Sequence, residues 1–121
     1  RPEYLEKSEA MVGALEDRFF QMPENYAGWG QLLLQQRHPY FEVAIAGPQA
    51  LEMRAKMARP FHPDVLLVAA DTPTDLPLFE SRFDPETTRI FVCQDHTCRL
   101  PVSTVDEALT QLQSGPSFIF P

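Results

Sequence analysis

The chain has few of the residues from which nucleotide sites and secreted scaffolds are built. Its five glycines contain no Gly-x-Gly-x-x-Gly run, and no Lys-Ser or Lys-Thr pair follows Gly47, so a phosphate cradle is not indicated there. Two cysteines are too few for a disulfide framework, which makes a cytoplasmic setting the default expectation. No apolar run approaches the roughly 20 residues of a membrane span, and no charged-then-apolar signal segment opens the chain. Positive charge is also scarce. Ten Lys and Arg against seventeen Asp and Glu leave a net charge of −7. The basic residues Arg37, Arg54, Lys56, Arg59, Arg82, Arg89 and Arg99 are scattered, so neither nucleic acid nor an anionic membrane is an expected partner. The first residue is Arg1 and not Met, which reads as a piece cut from a longer protein.

What the chain does contain is enough for a core. At 121 residues, folding buries about two-thirds of the extended chain's surface. Twelve prolines, about twice the usual share, fall between hydrophobic runs and punctuate them. The organising stretch is Tyr40 to Gly47. There Phe41, Val43 and Ile45 alternate with Glu42, Ala44 and Ala46, giving one bulky and one small face, as in a strand covered on both sides. Gly47 supplies a turn, and Pro48 suits a helix start.

Before that strand the pattern is helical. Tyr4, Met11, Leu15, Phe19 and Met22 predict one helix from Glu3 to about Phe20, ended by Pro23. Tyr26, Trp29 and Leu33 predict a second from about Asn25 to Gln36, with Gly28 and Gly30 able to permit close packing. After it, strand and helix alternate. Gln49 to Arg59 reads as a helix with Leu51, Arg54, Ala55 and Ala58 on one face and Met53 and Met57 beside it, and Val65 to Ala69 as a central parallel strand. Asp71 to Pro77 is a loop, and Leu76 to Arg82 forms one or two helical turns with Phe79 and Phe83 inward. Arg89 to Gln94 and Cys98 to Val102 form a hairpin closed by Gln94 to Thr97, with Pro101 placing the last strand at an edge. Thr104 and Glu107 make a capping box for a helix that buries Val105, Ala108, Leu109 and Leu112, with Gly115 as its C-cap. The apolar tail Pro116 to Pro121 is suited to packing on a neighbour. The expected fold is therefore α/β: a helix hairpin over residues 1–38, then a small domain over 39–121 with a three- to four-strand sheet, a parallel βαβ unit and a C-terminal hairpin and helix.

The run Ile90 to Val102, followed by Asp-Glu-Ala-Leu at Asp106 to Leu109, and the strand Glu42 to Gly47 resemble the C-terminal end of the thioredoxin-domain-containing, spermatogenesis-associated protein family of animals and bacteria. The resemblance runs over roughly Tyr4 to Leu112 and implies a parent with a thioredoxin-like domain, then an α/α toroid of the six-hairpin glycosidase kind, then this α/β tail. Residues 1–38 would close the toroid. No catalytic residue of that family falls on a position of this chain. The resemblance thus implies a non-catalytic accessory or interaction domain whose partners are the upstream domains of the same parent. A part in a carbohydrate-active toroid enzyme is a further alternative.

Cys93 and Cys98 are the candidate redox residues. A hairpin sets them at opposed positions, within the ~5.5 Å Cα separation that a disulfide tolerates. Two reduced strand thiols is the plainer reading, and a hairpin disulfide or thiol–disulfide redox module the alternative. His96 between them is a weak metal candidate: Cys, Cys and His supply three ligands where structural zinc takes four, and His62 would have to be the fourth. No cofactor is expected. Asp71, Asp75, Glu80 and Asp84 follow a parallel strand, where open α/β sheets place sites, but no base, Gly-rich loop or nucleophile elbow accompanies them.

Overall fold

The computed structural model describes residues 2–37, 40–95 and 97–113. The chain divides into two compact units, Arg1–Pro39 and Tyr40–Pro121.

In the first unit, helix α1 (Pro2–Gln21) and helix α2 (Ala27–Arg37) are joined through a short 3-10 turn at Pro23–Asn25. Pro23 cannot continue an α-helix but fits the first position of the new turn. The inward face of α1 is Val12, Leu15 and Phe19: of the expected stripe, Leu15 and Phe19 are half-buried, and Tyr4, Met11 and Met22 are exposed. Phe19 is the member of this face that meets Gly30 of α2, where an added Cβ would lie 2.7 Å from its ring. Gly30 is thus the glycine that permits close approach, and Gly28 faces open space. On α2, Leu33 is buried and Trp29 half-buried as their spacing predicts, and Tyr26, just before the helix, is half-buried as well.

The second unit is an α/β fold built on a four-strand mixed sheet of order β2-β1-β3-β4, comprising β1 (Phe41–Ala46), β2 (Val65–Ala70), β3 (Arg89–Gln94) and β4 (Thr97–Cys98). β1 pairs parallel to β2 and antiparallel to β3. The central position belongs to β1 and not to β2, which lies at an edge and is only half-buried. A continuous apolar run such as Val65–Ala70 suits a covered edge as well as a centre, so composition alone does not choose between them.

The alternation in β1 has the predicted consequence. Phe41, Val43 and Ile45, with Ile90 and Val92 of β3, form one buried layer against helix α3 (Ala50–Met57) and helix α4 (Val105–Gln113). Ala44 and Ala46 face the other way, toward Val68, Phe91, Leu78 and Phe79. The small side chains on that face let a loop and not a helix cover the sheet, with Phe79 of a 3-10 turn (Pro77–Phe79) as its buried anchor.

Helix α3 turns Ala50, Met53 and Met57 inward, whereas Leu51, Arg54, Ala55 and the C-cap residue Ala58 are exposed, so the methionines expected beside the inward face form it and the expected face lies outside. The sequence offers two stripes of similar apolar weight, and the long, adaptable methionines fill the layer under β1 better than an Arg-and-Ala face would. Gly47 has φ +129, and an added Cβ would lie 2.4 Å from the Thr87 carbonyl oxygen, so this turn requires glycine. α4 buries Ala108 and packs Val105, Leu109 and Leu112 on the same layer as predicted. Its capping box is complete: Thr104 N donates to Glu107 Oε2 at 3.1 Å and Glu107 N donates to Thr104 Oγ1 at 3.3 Å. The Thr104 hydroxyl, foremost, holds the Glu107 carboxyl below its ordinary range. The expected C-cap Gly115 and the tail lie outside the described residues.

Candidate functional site

The sharpest feature of the sequence falls on the second face of the sheet, at its β3–β4 edge. Gln94 pairs with Thr97 and Cys93 with Cys98, so the hairpin loop is shorter than Gln94–Thr97, and its first residue, Asp95, takes φ +50. A two-residue hairpin needs that left-handed conformation, which Asp tolerates better than most residues. β4 is also shorter than expected. Beyond Cys98 the pairing resumes at Ile90 and Val102 after Phe91 and Val92 have passed Arg99, Leu100 and Pro101. One strand carries an extra residue, a bulge that admits Pro101, which has no N–H to give to a ladder.

Opposed placement brings the two Cα atoms to 3.9 Å, and the sulfurs are joined as a disulfide where reduced thiols are the plainer sequence reading. Cys93 is buried at 3% exposure and Cys98 is exposed, so the bridge has one sheltered and one accessible sulfur. Arg82 lies across both. Its Nη1 donates to Cys93 Sγ at 3.7 Å and its Nη2 to Cys98 Sγ at 3.4 Å, while the guanidinium stands 4.9 Å from the centre of the Phe91 ring. Phe91 and Cys93 point to the same face of β3, two residues apart, so ring and bridge form one platform for the planar cation.

Local structure places Arg82 there. After the 3-10 turn, Ser81 adopts φ 57 and Arg82 N donates back to the Phe79 carbonyl at 3.1 Å, which folds the chain over the sheet. A left-handed Ser costs on the order of 1 kcal/mol and persists because the buried Phe79 holds the turn. Sequence reasoning missed Arg82. Its only trace was the short helical signal ending there, and nothing in the spacing linked it to cysteines 11 and 16 residues away.

The remaining sequence candidates separate. His96 lies outside the described residues, and among the described residues no three His, Cys, Asp or Glu side chains gather as a metal site. His62 lines an open pocket of about 440 Å³ with Arg54, Met57 and Arg59 at the end of α3. Of the four loop acids, Asp84 is engaged in a turn: Oδ1 accepts from Glu86 N at 2.8 Å and Thr87 N at 3.2 Å, and Oδ2 from the Thr87 hydroxyl at 2.8 Å. Those bonds, led by the Glu86 N–H, hold its carboxyl below the usual range, as suits a structural anion and not a proton carrier. The backbone space at Gly47 is filled by Thr87 and Thr88, and Thr88 Oγ1 accepts from Gln49 N at 2.8 Å, so the turn is closed from within. Among the described residues, no helix is long and apolar enough to cross a membrane. Compared with known proteins, the chain matches no family model, no curated protein and no solved structure.

Proposed function

We propose that this chain is a non-catalytic accessory or interaction domain of a larger protein, and that the surfaces it completes belong to the upstream thioredoxin-like and toroid domains implied by the sequence resemblance. The observation that carries this reading is the state of the first unit. Leu5, Met11, Phe20 and Leu34 are each more than half exposed, while Val12 and Leu33 are its buried apolar side chains among the described residues. Exposed apolar area of this kind on consecutive helices fits packing against further helices. The test is calorimetric titration of the chain with its separately purified upstream region. Saturable binding with a negative heat-capacity change, weakened by Met11→Asp or Leu34→Asp, is expected. Absence of binding at high micromolar concentration would remove the basis for the reading.

A second reading, a thiol–disulfide redox module, is favoured by a specific observation: the bridge has one accessible sulfur and a guanidinium in contact with both. A cation beside a thiol favours the thiolate, which is the reactive form. Under this reading the electrons would be exchanged with a dithiol partner such as a thioredoxin-like domain.

A further inference from the structure

We infer that Arg82 is the group that stabilises the thiolate charge released when the Cys93–Cys98 bridge is reduced, with Cys98 Sγ as the atom that an external dithiol attacks. The inference rests on the redox reading above and adds to it a direction of attack and a residue that acts on the reacting atoms.

The direction follows from burial. Cys93 Sγ belongs to a residue sheltered on β3, and Cys98 sits exposed on the short edge strand, so an incoming thiolate reaches Cys98 first. Its attack forms a mixed disulfide with Cys98 and breaks the Cys93–Cys98 bond. The electron pair of that bond leaves on Cys93 Sγ, which Arg82 Nη1 already contacts. The donor's second thiolate then attacks its own partner sulfur, closing the donor disulfide and expelling Cys98 as a thiolate beside Nη2. Two electrons pass from the dithiol to the bridge, and the two thiol protons go to solvent or to the new thiols.

The need for a cation follows from the other charges around the site. Glu42 of β1 stands directly opposite Cys93 in the sheet register, Asp95 begins the turn, and Glu80 precedes Arg82 on the covering segment. A carboxylate within a few ångströms of a thiol disfavours its thiolate, and Glu42 in register with Cys93 is the nearest of these along the sheet. Arg82 is the cation in contact with the sulfurs, and its stacking on Phe91 fixes the guanidinium in the plane where both Nη atoms reach them. A leaving thiol departs more slowly as its pKa rises, which gives the direction of the effect expected on losing Arg82.

The test uses the whole chain as wild type, Arg82→Gln and Arg82→Lys, with circular dichroism to confirm folding. Reduction of the bridge by dithiothreitol is followed without denaturant, and the reduced proteins are alkylated with iodoacetamide between pH 5 and 10. Acid-quenched mixtures with glutathione are mapped by mass spectrometry. Expected are reduction of the native wild type, glutathione first on Cys98, slower reduction in Arg82→Gln with alkylation moved to higher pH, and near wild-type behaviour in Arg82→Lys. Unchanged rates and alkylation profiles in Arg82→Gln would overturn the role of Arg82 while leaving the redox reading standing. A wild-type bridge reduced only in denaturant would sink that reading itself. Should Arg82→Gln not fold, the glutathione map of the wild type decides the direction of attack, and glutathione found first on Cys93 overturns it.

Discussion

In the α/β unit, Val43, Ile45, Ile90 and Val92 are wholly removed from water under α3 and α4, whereas in the helix pair Tyr4, Leu5, Met11 and Phe20 remain mostly exposed. Both regions are rich in apolar residues at regular spacing. The difference lies in what the spacing faces. A strand at the centre of a sheet has neighbours on two edges and layers on two faces, so each bulky residue in β1 meets several partners. Two helices alone can cover only the stripe along their contact, and any wider apolar face stays in water until something else covers it. Periodicity therefore reports which residues could be buried, and the number of surrounding elements decides how many are.

The largest expected effect sharpens this contrast directly. Ile45→Ala, at a position with no exposure, is expected to cost ~2–5 kcal/mol in urea unfolding. Leu34→Ala, at 58% exposure in α2, is expected to fall within ~0.5 kcal/mol of wild type. Similar losses at both positions would mean that the helix pair carries a core of its own and would break the comparison.

A smaller effect probes the helix pair by itself. Gly30→Ala places a methyl group against the Phe19 ring, and overpacking of this kind costs ~1–3 kcal/mol unless the ring can turn aside. Gly13→Ala in α1 meets open space and gains helix propensity, so it should raise stability by ~0.5–1 kcal/mol. Opposite signs for two Gly-to-Ala changes in one unit are the expected outcome in thermal unfolding. A stabilised Gly30→Ala protein would show that α1 and α2 do not pack as closely as Phe19 and Gly30 indicate.

The smallest effect lies in the acid limb and belongs to the α/β unit. Glu107 and Asp84 both have carboxyls held below their ordinary range, by the Thr104 hydroxyl and by the Glu86 N–H respectively. A depressed folded-state pKa contributes stability that is fully present above the unfolded value, about 4 for these groups, and is lost as pH falls through the folded value. Glu107→Gln and Asp84→Asn should therefore flatten the fall of the melting temperature below about pH 4 and leave its shape above pH 6 unchanged. Because Glu107 is exposed and Asp84 is only partly sheltered from solvent, the change in slope is expected to be slight.

Much of the α/β unit was legible from local rules. The two-faced pattern of Phe41–Ala46, the Thr104–Glu107 capping box and the opposed cysteines of the hairpin each depend on residues near one another in sequence, and each appears as those rules predict. Where local patterns were broader than what is buried, sequence could not choose: both faces of α3 have helical spacing and the apolar stripe of α1 runs beyond its covered part, and the contacts of Met57 and of Gly30 decided which residues are inside. Likewise, nothing in Val65–Ala70 distinguishes an edge from a centre, because strand order depends on where β3 pairs and not on β2's own residues.

The sequence by itself determined that the chain is α/β, where its first three strands lie, and that Cys93 and Cys98 would face each other, because pleat, hairpin and capping chemistry are short-range. Only the tertiary structure decided which sulfur is sheltered and which charge sits beside the bridge. Arg82 reaches Cys93 and Cys98 because Phe79 is buried under the second face and Ser81 turns the chain back across it. That juxtaposition depends on the packing of a covering loop against a sheet, a long-range outcome with no periodic signature in the residues that produce it.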